Sequence, residues 1–223
     1  MVLYHGSDHV LTTPLWGAGN LHNDYGQGFY CTERLELAKE WACQGARQGF
    51  ANEYNLDPEG LSWLDLSQEP YSVLNWLAVL LENRVFVLSQ PQACAARDYL
   101  IREFLPPYQD YDVIQGYRAD DSYFAFANAF LNNQISLQKL GLALKLGHLG
   151  EQIVLKSPAA FRHLSFQAAL PVDVDVYGQK RRQRDRKARD EYRSLAAEAF
   201  RASDILMIDL LRDNLKADDA RLR

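Results

Sequence analysis

Gly26-Gln27-Gly28 delivers the chain into Phe29-Tyr30-Cys31, and beyond Thr32 the residues Glu33, Leu35, Ala38, Trp41 and Ala42 fall at helical spacing. A glycine-led approach, a short aromatic strand, a residue suited to capping (Thr32) and an amphipathic helix thus come in one piece. Any fold for this chain has to accommodate that unit intact.

Around it the pattern alternates between the two regular periods. Residues 1–4 read as an apolar strand, and residues 14–23, rich in Gly and Asn, as a loop. Residues 53–55 and 62–66 read as a hairpin about the turn Asp57-Pro58-Glu59-Gly60. Val73, Leu74, Leu77, Leu80 and Leu81 recur at threes and fours, predicting a helix over 71–83 with one buried face. A weaker helix is expected over 97–104, stopped by Pro106-Pro107, and further helices over 122–132 and 136–145. Residues 111–116 and 152–155 read as strands, and 158–163 as a turn of helix. Strands and helices alternate without the regular repeat of a parallel βαβ sheet, so the expected class is α+β.

After Pro171 the composition shifts. Residues 180–189 hold seven basic residues and one Asp, and 196–215 carry an apolar stripe continuing Leu195: Ala199, Ile205, Ile208 and Leu211. Residues 175–223 read as a helical, basic C-terminal extension, and residues 1–174 as the main domain. A basic run of this kind is either a solvated helix face or a surface for phosphate or a partner.

Composition excludes several classes. A net charge of -5 over 223 residues lacks the basic field that draws a whole molecule onto nucleic acid or acidic lipid. Cys31, Cys43 and Cys94 form no CxxC or Cys/His cluster, and His9, His22, His148 and His163 show no ligand spacing, so no metal is expected. The longest apolar run, near residues 79–81, is too short for a bilayer, and no basic region leads into an apolar run at the N-terminus. A cytoplasmic setting without membrane contact is the expectation. GxGxxG after a strand, GxxxxGK[ST], HExxH and GxSxG are all missing, which removes support for Rossmann dinucleotide binding, P-loop chemistry, zinc proteolysis and serine hydrolysis. What remains is a dispersed set: His5 ending the first strand in LYHGS, Tyr30 in GFYCT, and Glu151 opening the strand of GEQIVLKS. Trp41, Trp63 and Trp76 stand at apolar positions and read as core.

LYHGS, then GxGFYxT running into a helix with a late aromatic, then Glu at the mouth of an apolar strand, together resemble the His-Tyr-Glu class of ADP-ribosyltransferases, to which diphtheria toxin and the poly(ADP-ribose) polymerases belong. The chain is also similar to an uncharacterised, toxin-like bacterial family with LYHGS, GFY and YDxxxG…ADD segments, often encoded beside a small partner. The resemblance spans about residues 1–166. It implies an ADP-ribosyltransferase-like fold of split antiparallel sheets, NAD as substrate without a metal, a protein or nucleic-acid acceptor, and a small antitoxin as partner.

Residue by residue, the resemblance implies that His5 hydrogen-bonds a ribose hydroxyl of NAD and that Tyr30 stacks on nicotinamide. Glu151 would accept a hydrogen bond from the nicotinamide-side ribose and stabilise the positive charge that builds as nicotinamide leaves, the need met by a carboxylate in glycoside hydrolysis. Gly6, Ser7, Gly28 and Phe29 would line the same pocket. Arg118 would meet the pyrophosphate, and Asp120 or Asp121 would act on the acceptor, the acids' other reading being a helix cap. Gln152 is the alternative occupant of the Glu151 position. Leu149 stands where arginine-directed enzymes carry a carboxylate, which argues against arginine as acceptor. The resulting expectation is a mono-ADP-ribosyltransferase. An NAD glycohydrolase using the same pocket, and a non-catalytic module binding a nucleotide or partner, are the rivals.

Overall fold

Phe29-Tyr30-Cys31 forms a strand, β2 (Phe29–Cys31), as the glycine-led approach requires. The computed structural model describes residues 1–43, 48–88, 90–119, 121–146 and 150–222. Among these, seven strands and eight α-helices make an α+β fold with two sheets. In the first sheet β1 (Val2–Ser7), β3 (Gly49–Leu56) and β7 (Leu164–Val172) run antiparallel, with β3 in the middle. In the second, β2 is followed by β6 (Glu151–Leu155), β5 (Val113–Tyr117) and β4 (Trp63–Asp65), the last pair being parallel.

The sheets meet where β1 runs beside the end of β2. Tyr4 N–H donates to Thr32 O at 2.8 Å and Thr32 N–H to Tyr4 O at 3.0 Å. Strand alternation then sorts the side chains. Phe29, Cys31, Val113, Ile153 and Leu155 join Leu3, Tyr54 and Leu56 in one apolar cluster between the sheets. Ile114 and Val154 turn the other way, into a larger core built with the helices. Burial of side chains this size contributes about 1.5–3 kcal/mol each.

The first helix, α1 (Leu35–Trp41), lies on the first sheet through Ala38 and Ala42, packed with Ala51 and Val172. Small residues are needed because the backbones nearly touch: a Cβ on Gly6 would sit 2.0 Å from Ala38 O. α2 (Val73–Asn83) buries Leu74 through Leu81 without a break. Its start is fixed by Ser72, whose Oγ accepts Leu74 N–H at 3.3 Å while Ser72 N–H donates to Asn75 Oδ1 at 2.8 Å. Asn75 Nδ2 then donates to Phe104 O at 2.8 Å, tying α2 to the end of α3 (Pro91–Phe104). α4 (Asp121–Leu131) and α5 (Leu137–Ala143, capped by Ser136) complete this side, and α6 (Pro158–Arg162) links β6 to β7.

The C-terminal residues join the same body. α7 (Val174–Ala197), capped by Asp173, buries Ala188 and stacks Tyr192 on Phe126 at 4.0 Å between ring centroids. α8 (Met207–Asp213) places Met207 and Leu210 in the large core, and Tyr99 Oη donates to Leu215 O at 2.7 Å. No helix among the described residues is long and apolar enough to cross a membrane, and none of their His, Cys, Asp or Glu side chains group to hold a metal ion.

Several expectations need correcting. The turn at residues 57–60 forms, with Gly60 at φ 76°, but its two strands part: β3 stays in the first sheet and β4 pairs with β5 in the second. Thr32 does not cap α1. It is taken by the β-bridge to Tyr4, and Arg34 stands at the N-cap instead. The third helix begins earlier, at Pro91, because proline fits the first turn of a helix. β7 was unforeseen, since Ala168, Ala169 and Pro171 have low strand propensity; an edge position tolerates that proline. The expected helix over 196–215 is interrupted between Glu198 and Leu206.

Candidate functional site

A cleft of about 710 Å³ opens where β1, β2, β6 and the end of α1 come together. His5 and Gly6 enter from β1, Gly28 to Tyr30 from the approach to β2 and from the strand itself, Trp41 from α1, and Gln152 from β6. The loop over residues 11–24 forms one wall through residues that include Leu11, Pro14, Gly19 and Asp24.

His5 is held by a 2.7 Å hydrogen bond from Nδ1 to Tyr30 O. A carbonyl can only accept, so Nδ1 carries the proton and Nε2 is left as an acceptor. Burial lowers the imidazole below its ordinary pKa of 6.5, against the carbonyl bond, which favours the charged form. At neutral pH the ring is neutral. The Phe29 ring, 4.5 Å away between centroids, supports it from the side facing the apolar cluster.

The hydroxyl of Tyr30 is fully engaged. It donates to Gly26 O at 2.6 Å and accepts Tyr25 N–H at 3.0 Å, and burial drives its pKa far up. Gly26 makes this loop possible with φ 74°, and Lys156 Nζ clamps it by donating to the Tyr25 and Gln27 carbonyls. Tyr30 thus lines the cleft with its hydroxyl already bonded, and its ring also packs on the large core. Trp41, expected to be core, instead lies on the cleft wall, with the Arg118 guanidinium 4.5 Å from its ring centroid. Trp76 is core as expected, its Nε1 donating to Tyr117 O at 2.9 Å, and Trp63 packs at the edge of the intersheet cluster.

Glu151 and Gln152 are separated by the alternation of β6. Gln152, 3 % exposed, points to the cleft and donates through Nε2 to Asp24 Oδ2 at 2.9 Å. Glu151 points to the opposite face and takes a 2.5 Å hydrogen bond from Gln115 Nε2. The expectation that Glu151 enters the pocket is thus corrected: Gln152 occupies that place. Ser7 is also off the cleft wall. Its hydroxyl donates to His9 O at 2.7 Å and accepts from Asn52 Nδ2 at 2.9 Å, fixing the turn after β1. Asp120 lies outside the described residues; Asp121 opens α4, and its side chain is likewise outside them.

Three cleft residues escaped the sequence reading. Asp24, 6 % exposed, accepts Ala119 N–H at 2.9 Å in addition to Gln152. Arg84 follows α2 and places Nη1 3.8 Å from Asp24 Oδ1. Burial raises the Asp24 pKa, and the bonds from Gln152 and Ala119 and the charges of Arg84 and Arg118 oppose that rise. Arg181 arrives from α7, which is anchored to α1 by Arg184–Glu40 at 2.8 Å and Lys180–Glu36 at 3.3 Å. Arg84, Arg118 and Arg181 give the cleft a positive lining although the chain is acidic.

A family model described as "Protein of unknown function (DUF3990)" matches residues 1–166. The match takes in every cleft residue named above except Arg181. No curated protein and no solved structure matches the chain.

Proposed function

The chain belongs to that family, DUF3990, and we propose, from the cleft itself, that it binds NAD and transfers the ADP-ribose portion to a protein or nucleic-acid acceptor, releasing nicotinamide. The observation that carries this reading is the convergence of neutral His5, the ring of Tyr30, Trp41 and Gln152 on one cleft that also holds three arginines. A cavity near 710 Å³ lies in the range that encloses a small molecule largely from water. Guanidinium groups match phosphate oxygens in pairs, so the arginines suit a pyrophosphate. His5 Nε2, an acceptor by its tautomer, suits a ribose hydroxyl, and the rings of Tyr30 and Trp41 suit a flat heteroaromatic ring. Two sheets meeting at β1 and β2, with His on one strand and Tyr on the next, also fit the ADP-ribosyltransferase-like fold that the motifs resemble.

The test is nicotinamide release from NAD labelled in its adenylate half, by purified full chain, with and without cell extract. Release that depends on extract and leaves label on a macromolecule is the expected result, and the labelled species identifies the acceptor class. Equal release without extract and without labelling would mean that water is the acceptor and would refute transfer. Neither release nor NAD binding would refute the reading altogether.

A further inference from the structure

With Glu151 turned away, the cleft still contains a carboxylate, and its surroundings are unusual for a structural acid. Asp24 is 6 % exposed and sits on the cleft wall. Its Oδ2 is saturated by Ala119 N–H and Gln152 Nε2, both at 2.9 Å. Among the described residues Oδ1 receives no such donor, and its cation, Arg84, stands 3.8 Å off, beyond hydrogen-bond distance. A buried carboxylate is costly unless closely paired, and one held by two donors with its second oxygen unbonded is arranged to act on something else. It also adjoins the machinery: the next residue, Tyr25, donates its N–H to the Tyr30 hydroxyl, and Gln152 bonds Asp24 directly.

We propose that Asp24 is the general base of this cleft, with Gln152 as the group that positions it; this rests on the NAD reading above. In the step, the bond between ribose C1′ and the nicotinamide nitrogen breaks, and its electron pair leaves with nicotinamide. The acceptor oxygen or nitrogen forms the new bond to C1′, and the proton it sheds passes to Asp24 Oδ1. NAD⁺ and an acceptor carrying one hydrogen thus give ADP-ribosyl acceptor, nicotinamide and one proton. The carboxylate must be ionised to act. Its charge state is set against Arg84 from the end of α2, Arg118 beyond β5, and the phenols of Tyr25 and Tyr30. Burial is the largest influence and moves the acid limb of the rate above the ordinary aspartate range.

The experiment compares wild type, Asp24→Asn and Asp24→Glu for NAD affinity, kcat of nicotinamide release and the pH dependence of kcat, with a thermal melt for each. Asp24→Asn keeps an oxygen to accept the Ala119 N–H. The expected result is a loss of about a hundredfold or more in kcat, NAD affinity within about threefold of wild type, and disappearance of the acid limb. Asp24→Glu should recover part of the rate. If Asp24→Asn keeps the wild-type kcat and acid limb, the assignment to Asp24 is overturned while the NAD reading stands. If wild type itself neither binds nor cleaves NAD, both fall. Should Asp24→Asn fail to fold, Asp24→Glu decides: a lowered kcat with a displaced acid limb supports the proposal, and a kcat and acid limb identical to wild type overturn it.

Discussion

Replacing Gly6 with alanine tests whether the site depends on the contact between β1 and α1. The added Cβ would lie 2.0 Å from Ala38 O, 2.7 Å from Ala42 N and 2.8 Å from Trp41 Cβ. Two of these are backbone atoms, so no flexible side chain can swing aside, and ordinary contact requires α1 to withdraw by about 1 Å or more. Overpacking of this kind costs about 1–3 kcal/mol, and a backbone clash belongs at the upper end. For a chain of this length, about 3 kcal/mol corresponds to a fall in Tm of about 6–12 °C. The withdrawal also carries Trp41, and the Arg118 guanidinium stacked on it, away from His5, and misplacement by about 1 Å can cost about a hundredfold in rate. The assay is a thermal melt followed by nicotinamide release, with Gly141→Ala as the opposite control. Gly141 lies inside α5, a Cβ there meets nothing within 4 Å, and the change should stabilise by about 0.5–1 kcal/mol. A Gly6→Ala protein melting within about 2 °C of wild type would refute the reasoning.

Three other outcomes are expected. Glu151→Gln should leave nicotinamide release unchanged, because the side chain faces Gln115 and not the cleft; a drop of about tenfold or more would return Glu151 to the site. NAD affinity, measured by calorimetry, should be level through pH 7–8 and fall on acidification only below the ordinary histidine value of 6.5, because burial depresses the His5 pKa. The sign for stability agrees: between the folded value and 6.5 the unfolded chain binds more protons, so stability declines as pH falls through that window. Affinity that rises with acid would contradict a neutral acceptor at His5. Arg181→Ala should weaken NAD binding about ten- to a hundredfold, from the loss of a charge-assisted bond worth about 1.5–3 kcal/mol, whereas Arg182→Ala, on an exposed position of the same helix, should not.

The sequence made some of this plain and hid the rest for identifiable reasons. β2, α2 and β6 are legible because Phe29-Tyr30-Cys31, the spacing of Leu74, Leu77 and Leu81, and Ile153-Val154-Leu155 each carry a strong period. His5, Tyr30 and Arg118, singled out from separate stretches of the sequence, line one cleft. The choice between Glu151 and Gln152 was beyond a sequence reading, since a one-residue offset reverses the face and strand starts are the least certain boundary. Asp24 gave no signal because it sits in a polar loop, and only tertiary contacts from Ala119, Gln152 and Arg84 bury it. The parting of β3 and β4 was hidden because the local turn is sound and the choice of partner strand is made far away, at Val113 to Gln115.

The seating of α8 bears on the order of events during synthesis. Met207, Leu210 and Leu215 complete a core whose other members begin at Tyr25. At about 5–20 residues per second, the 49 residues between positions 166 and 215 take roughly 2–10 s to emerge, and until then that core has an open apolar side. β2, β6 and the cleft between them depend on the same core through Tyr30 and Val154. A ribosome stalled inside α7 would therefore display most of the cleft residues on an unfinished body, so completion of the site is tied in time to translation of α8.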